Sequence, residues 1–142
     1  MSIGKYISAV ELIEFPTLGD ERGELIALEE RRQIPFETKR VYYIYNTDVN
    51  VTRGLHAHKE LEQLAVVVAG SCVFDVETIE GKQSFLLDTP TKGLYLGGLA
   101  WHSMHSFSED CVIVVMASAP YDESDYIRDY DDFLRFCEVE RG

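Results

Sequence analysis

The stretch that organises this chain covers residues 53–70, RGLHAHKELEQLAVVVAG. His56 and His58 stand two positions apart on a predicted strand, so we expect both imidazoles on the same face. The apolar run at 64–69 ends at Gly70 and Ser71, a turn signal, which indicates a buried strand followed by a hairpin. The pattern predicts a pair of histidines held on a rigid sheet.

Similar strand patterns continue on both sides of this stretch. Residues 15–20 break the chain after the first strand and suggest an entry hairpin, and the charged residues 29–37 predict a loop. Short strands separated by turn signals are typical of a sandwich or barrel, so the predicted fold class is all-β. The other strands are predicted at 6–13, 24–28, 38–46, 72–79, 83–87, 94–96, 101–107 and 111–117.

The end of the chain breaks the β pattern. Over residues 124–139, SDYIRDYDDFLRFCEV, apolar residues recur at the spacing of three and four that predicts an amphipathic helix. Ser124 or Asp125 is expected to cap it, and the aspartates of its first turns suit the helix dipole. We expect this C-terminal helix to cover one open end of the barrel.

Length, composition and charge narrow the class of protein. A chain of 142 residues with 46% hydrophobic residues predicts one globular domain, 1–142. The net charge of −12 opposes binding to nucleic acid or to an anionic membrane. No apolar run approaches the ~18 residues of a membrane helix and no signal segment is evident, so a cytoplasmic location is expected. The three cysteines suit buried thiols in a reducing compartment.

A second cluster contains a third histidine, His102, within GLYLGGLAWH at 93–102. Together the two clusters resemble the cupin family, which implies a jelly-roll β-barrel. In its first motif, G-x5-H-x-H-x(3,4)-E-x6-G, His56 and His58 match, Gln63 takes the glutamate position and Gly70 follows. In the second motif, G-x5-P-x-G-x2-H-x3-N, His102 matches. The departures there, which weaken the case for a metal site, are Gly97, Leu99 and Ser106.

The likeness becomes narrower over most of the chain, from the turn at 20–23 to Phe133. The sequence looks like the sugar 3,4-ketoisomerases, small cupin enzymes that act on dTDP-4-keto-6-deoxyglucose. This resemblance implies a dTDP-linked 4-keto-6-deoxy sugar as ligand, no metal or other cofactor, and a homodimer that exchanges N-terminal strands. The blocks that carry it are RVYYIY at 40–45, RGLHAHK at 53–59, Gln63, WHSM at 101–104 and YIRDYDDF at 126–133.

The implied reaction moves a ketone from C4 to C3 of the hexose. It removes the proton at C3, passes through an enediol and returns a proton to C4. Imidazole titrates near pH ~6.5, so His56 and His58 are the expected acid/base pair. The sequence leaves open which of them moves the carbon-bound proton. Tyr43, on the neighbouring predicted strand, is expected to donate a hydrogen bond to the enolate oxygen, with ordinary strand packing as the alternative.

The diphosphate of such a ligand needs cations. Guanidinium groups bind phosphate in a bidentate manner, so Arg53 and Arg22 come first, and Arg22 would serve the other subunit's site if strands are exchanged. Trp101 is predicted to stack near base or sugar, with core packing as the alternative. His105 has the opposite parity to His102 and is interpreted as structural. The full predicted substrate-binding set is Arg22, Arg53, Lys59, Gln63, Trp101, His102 and Arg128.

Two other functions remain open from the sequence. A metal-dependent cupin, a dioxygenase or metal isomerase, would use His56, His58 and His102 with a fourth ligand. A non-catalytic sugar-binding cupin would bind the ligand without exchanging deuterium from solvent. An isomerase must place deuterium at C3 or C4, whereas a 3,5-epimerase would label C3 and C5.

Overall fold

The computed structural model describes residues 8–141. Its strands are β1 Val10–Glu14, β2 Leu18–Asp20, β3 Gly23–Leu25, β4 Arg40–Ile44, β5 Arg53–His58, β6 Gln63–Ala69, β7 Cys72–Thr78, β8 Gly81–Leu87, β9 Lys92–Leu96, β10 Trp101–His105, β11 Val112–Ala117 and β12 Tyr126–Ile127. A 3₁₀ turn at Glu123–Asp125 precedes β12, and helix α1 covers Tyr130–Arg141.

Two five-stranded sheets make up the body of the structure. One has the strand order β1-β9-β6-β11-β4 and the other β12-β5-β10-β7-β8, while β2 and β3 form a separate hairpin. Neighbouring strands within these sheets pair antiparallel. The prediction of an all-β, cupin-like jelly roll with a C-terminal helix is confirmed.

The main core lies between the two sheets and is filled by alternate residues of their strands. Phe74 and Val76 on β7 meet Val67 of β6 and Ile113 of β11 from the other sheet, and all four are buried. Since successive side chains of a strand point to opposite faces, each strand gives the core every second residue. On β5 and β10 that same inward parity includes polar residues, so part of the interior is lined by imidazoles.

The N-terminal prediction is partly wrong. The first strand, β1, pairs with β9 rather than with the second predicted strand, and the hairpin consists of β2 and β3 instead. The expected strand began at residue 6, and residues 6 and 7 lie outside the described part of the chain. The loop after the hairpin is present, and its Ile34 and Phe36 pack on the outer side of the first sheet with Leu64, Val66 and Met116.

The C-terminal helix begins later than predicted and covers a different surface. Residues 126 and 127 pair with β5 as strand β12, which removes them from the helix. Asp129, not Ser124 or Asp125, caps α1, since its carboxylate accepts hydrogen bonds from the backbone N–H groups of residues 131 and 132. Phe133 and Cys137 of α1 pack on Ala57 of β5, so the helix covers the outer face of the second sheet rather than a barrel end.

Within residues 8–141, no helix has both the length and the apolar character needed to cross a membrane. The predicted burial of the thiols is confirmed: Cys72, Cys111 and Cys137 are buried and unpaired.

Candidate active site

An irregularity in β5 shapes the site. Gly54 and Leu55 have positive φ angles of 88° and 62°. A β-carbon on Gly54 would lie 2.9 Å from the carbonyl oxygen of His102, so this close approach requires glycine. Arg53 pairs with Met104 and His56 with His102 across β10, which leaves Leu55 as the extra residue of a β-bulge. The bulge therefore places both Arg53 and His56, three positions apart, on the inner face.

Three imidazoles lie together on this inner face. The ring centroid of His56 is 4.8 Å from that of His102 and 5.2 Å from that of His58. His58 and His102 are each only 4% exposed. The predicted pairing of His56 with His58, and the approach of His102, are thus present in the folded chain.

All three imidazoles are neutral near pH 7. Burial, followed by the charge of His58, lowers the pKa of His56 to about 4. Burial and the neighbouring His102 and Arg40 lower the pKa of His58 to about 3. Burial and His56 lower the pKa of His102 to about 4. Because a neutral imidazole has one nitrogen lone pair, each ring has a nitrogen that is able to accept a proton.

Strand β12 forms one wall of the cluster. The Tyr126 ring lies 4.3 Å from His58 and 5.1 Å from His56 between ring centroids. The Arg128 guanidinium stands 4.2 Å from the centroid of the same Tyr126 ring. Glu123 holds this guanidinium through hydrogen bonds of 2.7 and 2.9 Å. Arg128, predicted to bind substrate, is therefore beside the site but engaged by a carboxylate.

Asp125, in the 3₁₀ turn before β12, faces His58 directly. Its Oδ2 lies 3.3 Å from His58 Nδ1, although the contact lacks hydrogen-bond geometry. The same carboxylate accepts hydrogen bonds from the backbone N–H groups of Glu60 and Leu61 at 2.9 and 3.2 Å. The turn after β5 thus holds this side chain against the imidazole.

Two cavities open beside the histidines and share Arg40 and Tyr126. The first, which we call the arginine cavity, has a volume of about 280 Å³. Its lining residues are Arg40, Tyr42, Ile44, Arg53, Gly54, His56, His102, Met104 and Tyr126. Apart from histidines and tyrosines, its ionisable lining residues are Arg40 and Arg53, and their positive charge suits an anionic ligand.

The second cavity, about 490 Å³, is reached by His58 and by several carboxylates, and we call it the acidic cavity. Its acidic lining residues are Glu37, Glu60, Glu62, Asp122 and Asp125. Arg40 lies between the cavities, and its Nε is buried without a hydrogen-bond partner among the described residues.

The first sheet supplies a hydrogen-bonded pair to the interior. The Tyr42 hydroxyl donates to Oε1 of Gln63 at 2.6 Å, and Gln63 is buried. Burial raises the pKa of Tyr42 to about 12, so it remains a protonated donor. Gln63 therefore lies inside the barrel, as predicted, and its carbonyl oxygen is already bonded to Tyr42.

Three predicted site residues face away from the histidines. Tyr43 is 65% exposed on the outer side of β4, because Tyr42 takes the inward position. Trp101 packs against Tyr130 and Phe133 at ring-centroid distances of 5.4 and 5.8 Å, on the face opposite His102. Lys59 follows the last inward residue of β5, and its Nζ donates to the carbonyl oxygen of Ser124 at 3.0 Å.

Arg22 and His105 also lie away from the cluster. Arg22 is in the turn between β2 and β3, where it is exposed and forms an ion pair with Asp20 at 2.6 Å. His105 is on the outer face of β10, and its Nε2 lies 2.8 Å from Oδ2 of Asp75. The structural interpretation of His105 agrees with this position.

Sequence reasoning missed Arg40, Tyr42, Asp125 and Tyr126. Arg40, Tyr42 and Ile44 share one parity on β4, and the apolar Ile44 was the available signal that this is the inward face. Asp125 and Tyr126 were assigned to the helix, and the two-residue strand that contains Tyr126 is too short to give a periodic signal.

The donor set does not fit a metal ion. Among residues 8–141, no group of three or more His, Cys, Asp or Glu side chains is arranged to hold one. Gln63, at the motif's carboxylate position, is an uncharged amide whose carbonyl oxygen already accepts a hydrogen bond from Tyr42.

A two-sheet β fold with imidazoles and guanidiniums lining its interior defines a cupin-type enzyme site. The model of the family described as "FdtA: WxcM-like, C-terminal" matches residues 8–138. The chain is 49% identical over 126 residues to the TDP-4-oxo-6-deoxy-alpha-D-glucose-3,4-oxoisomerase of Aneurinibacillus thermoaerophilus, covering 89% of this chain and 91% of that protein. The chain belongs to this FdtA/WxcM-like family.

Solved structures agree with this assignment. A 3,4-ketoisomerase from Helicobacter canadensis superposes with a TM-score of 0.87 at 43% identity, over 93% of this chain and 99% of that one. A His-to-Asn variant of the 3,4-ketoisomerase QdtA from Thermoanaerobacterium thermosaccharolyticum, in complex with TDP-4-keto-6-deoxyglucose, has a TM-score of 0.86 at 40% identity, over 93% and 94% of the two chains.

Proposed function

We propose that this protein is a TDP-sugar 3,4-ketoisomerase that converts TDP-4-keto-6-deoxyglucose, the dTDP-linked sugar expected from the sequence, into a TDP-3-keto-6-deoxyhexose. One observation carries the proposal: a pair of neutral imidazoles, the half-buried His56 and the buried His58, stands beside a cavity lined by Arg40 and Arg53. The 49% identity to a protein named as a 3,4-oxoisomerase supports it.

The chemistry needs only proton transfers. One imidazole takes the proton from C3, and the C3–H electrons form the C3–C4 double bond of an enediol while O4 is protonated. A proton then returns to C4, and the proton on O3 leaves as the C3 carbonyl forms. Carbon and oxygen exchange no electrons with an outside reagent, so two acid/base groups suffice. His56 and His58 are our candidates, and His102 and Gln63 are candidates for holding hydroxyl groups.

Ligand binding prepares these bases. A pKa of about 4 makes His56 a weak base in the free protein. The negative charge of a diphosphate near the imidazole raises that pKa, because it favours the protonated form. We infer that Arg53 and Arg40, which line the arginine cavity, bind the diphosphate through charge-assisted hydrogen bonds. Binding and base strength are thereby coupled.

The test is an NMR time course of the purified protein with TDP-4-keto-6-deoxyglucose in D₂O. We expect a 3-keto sugar with deuterium at the new C4 carbinol position. In a parallel reaction in H₂O, the coupling constant between H4 and H5 of the product gives the configuration at C4. Deuterium at C3 and C5 without ketone migration would instead identify an epimerase, and binding without exchange would contradict the proposal.

We also propose a homodimer that involves the outer face of the first sheet. Val41, Tyr43 and Tyr45 are 59%, 65% and 60% exposed there. Such a run of exposed apolar and aromatic side chains is typical of an interface. An exchange of N-terminal strands would bring Arg22 toward the partner's site. Light scattering should give twice the chain mass, and Val41→Asp should give a monomer; a monomeric wild type would contradict this.

A further inference from the structure

The segment before β12 provides the site with a carboxylate that the isomerase chemistry described above does not use. Asp125 Oδ2 lies 3.3 Å from His58 Nδ1, and the Asp125 side chain is only 18% exposed. His58 Nδ1 is buried and has no hydrogen-bond partner among the described residues. A buried ring nitrogen facing a carboxylate is best matched when it carries the proton.

The carboxylate is fixed in place by the backbone. Its Oδ1 accepts from the N–H of Glu60 at 2.9 Å and its Oδ2 from the N–H of Leu61 at 3.2 Å. The carbonyl oxygen of Asp125 accepts from the N–H of Lys59 at 2.9 Å. Three successive N–H groups directly after His58 thus hold Asp125. Because these bonds tie it to the turn that ends β5, imidazole and carboxylate move as one unit.

We propose that Asp125 is a positioning residue for His58: it holds the imidazole as the Nδ1–H tautomer and leaves Nε2 as the proton-accepting atom. An ionised carboxylate only accepts hydrogen bonds, so it selects the tautomer with a proton on the nitrogen that faces it. It also stabilises the imidazolium formed when Nε2 takes a proton. Because catalytic hydrogen bonds tighten when substrate binds, we expect the 3.3 Å separation between Asp125 Oδ2 and His58 Nδ1 to shorten in the substrate complex.

The tautomer is measured directly by nitrogen-15 NMR of the imidazole rings at neutral pH. The chain has four histidines, and a His58→Gln variant identifies the His58 signals by their loss. We expect His58 to be protonated at Nδ1 in the wild type. Protonation at Nε2 would overturn the proposal. This measurement needs no substrate, so it separates a failure of this inference from a failure of the proposed isomerase function, on which its catalytic consequence rests.

Asp125→Asn tests the consequence. Its amide oxygen, at the Oδ1 position, still accepts from the Glu60 N–H. Its NH₂ group, at the Oδ2 position, gives up the Leu61 bond and donates toward His58 Nδ1, which favours the Nε2–H tautomer. We expect the tautomer to switch and kcat to fall about 10- to 100-fold, with KM changed less than about threefold. An unchanged tautomer and kcat would overturn the proposal.

Asp129→Asn is the matched control. It makes the same chemical change four positions away, at the cap of α1, where asparagine is as good a cap as aspartate. We expect wild-type kcat and an unchanged His58 tautomer. If Asp129→Asn altered both as strongly as Asp125→Asn, the effect would be structural and the proposal would fail.

Discussion

The inner and outer faces of the same strands carry the same residue types in different surroundings. On β4, Tyr42 bonds to Gln63 inside the barrel, while Tyr43 is 65% exposed outside. On β10, His102 is buried inside, while the ring of His105 bonds to Asp75 and Ser106 at the surface. Since chain position and residue type are nearly matched, the difference comes from the face.

Side chains on the inner face are shielded from water, and their surroundings do not fully compensate the charge of a protonated imidazole. Burial is the largest cause of the lowered pKa values of His56, His58 and His102. The arginine cavity adds positive charge and the acidic cavity adds negative charge on either side of these rings. The interior can therefore hold neutral bases next to an anionic ligand, and the outer face cannot.

The largest predicted effect is on kcat, and it distinguishes an inner histidine from an outer one. His56→Gln removes an inner acid/base group, so kcat should fall roughly 10²- to 10⁴-fold with the fold intact. His105→Gln changes an outer histidine, and kcat should stay within about twofold of wild type. Steady-state kinetics with TDP-4-keto-6-deoxyglucose, with circular dichroism as the fold control, checks both. Similar losses in both variants would erase the distinction between the faces.

The next effect concerns the diphosphate. Arg53→Ala removes a guanidinium from the arginine cavity, and loss of a charged hydrogen bond costs roughly 1.5–3 kcal/mol, or about 10- to 150-fold in affinity for TDP. Arg32→Ala removes an exposed arginine that pairs with Glu29 and should leave affinity unchanged. Titration calorimetry with TDP measures both. Equal weakening would show that the overall charge, not the cavity, governs binding.

Periodicity was sufficient for the all-β class and for the common face of His56 and His58, whereas the jelly-roll expectation came from the resemblance to cupins. Alternation along each strand gave the all-β class, and the two-residue spacing of His56 and His58 gave their common face. The same rule gave the outward position of His105. These features depend on regular strand geometry, which local sequence encodes directly.

The remaining site features depend on irregular or long-range structure. Arg53 lies on the inner face only because of the bulge at Leu55. The alternation of a regular strand does not predict such an extra residue. Tyr126 is in the site because Tyr126 and Ile127 pair with β5. The surrounding residues have helical spacing, so the sequence predicted a helix there and not a strand. Tyr43 was preferred over Tyr42 although the apolar Ile44, which shares the parity of Tyr42, indicated the inward face of β4.

The lowered pKa values of the inner imidazoles predict that the free energy of unfolding depends on pH, and they determine the sign of that dependence. Their folded-state pKa values lie below the ordinary 6.5, so the unfolded chain binds more protons between pH 6.5 and about 4. The stability is fully present above pH 6.5 and is lost as the pH falls through this window. Each histidine contributes up to about 1.4 kcal/mol per pH unit.

His102→Gln isolates one of these contributions. Urea unfolding between pH 7 and 4.5 should show that the free energy of unfolding falls less steeply with decreasing pH in the variant than in the wild type. The difference in slope should correspond to the binding of about one proton. A variant slope equal to that of the wild type would mean that His102 takes up its proton over the same pH range in the folded and unfolded states.

The smallest predicted effect compares the two tyrosines. Tyr42→Phe leaves the buried Oε1 of Gln63 without its donor, so the free energy of unfolding should fall by about 1–3 kcal/mol. Tyr43→Phe removes an exposed hydroxyl and should change it by less than about 0.5 kcal/mol. Urea titration at pH 7.5 measures both. The two substitutions are chemically identical and adjacent in sequence. An equal loss would therefore show that Tyr42 does not occupy the inward position of β4 in solution, and Tyr43 would have to be considered for that position.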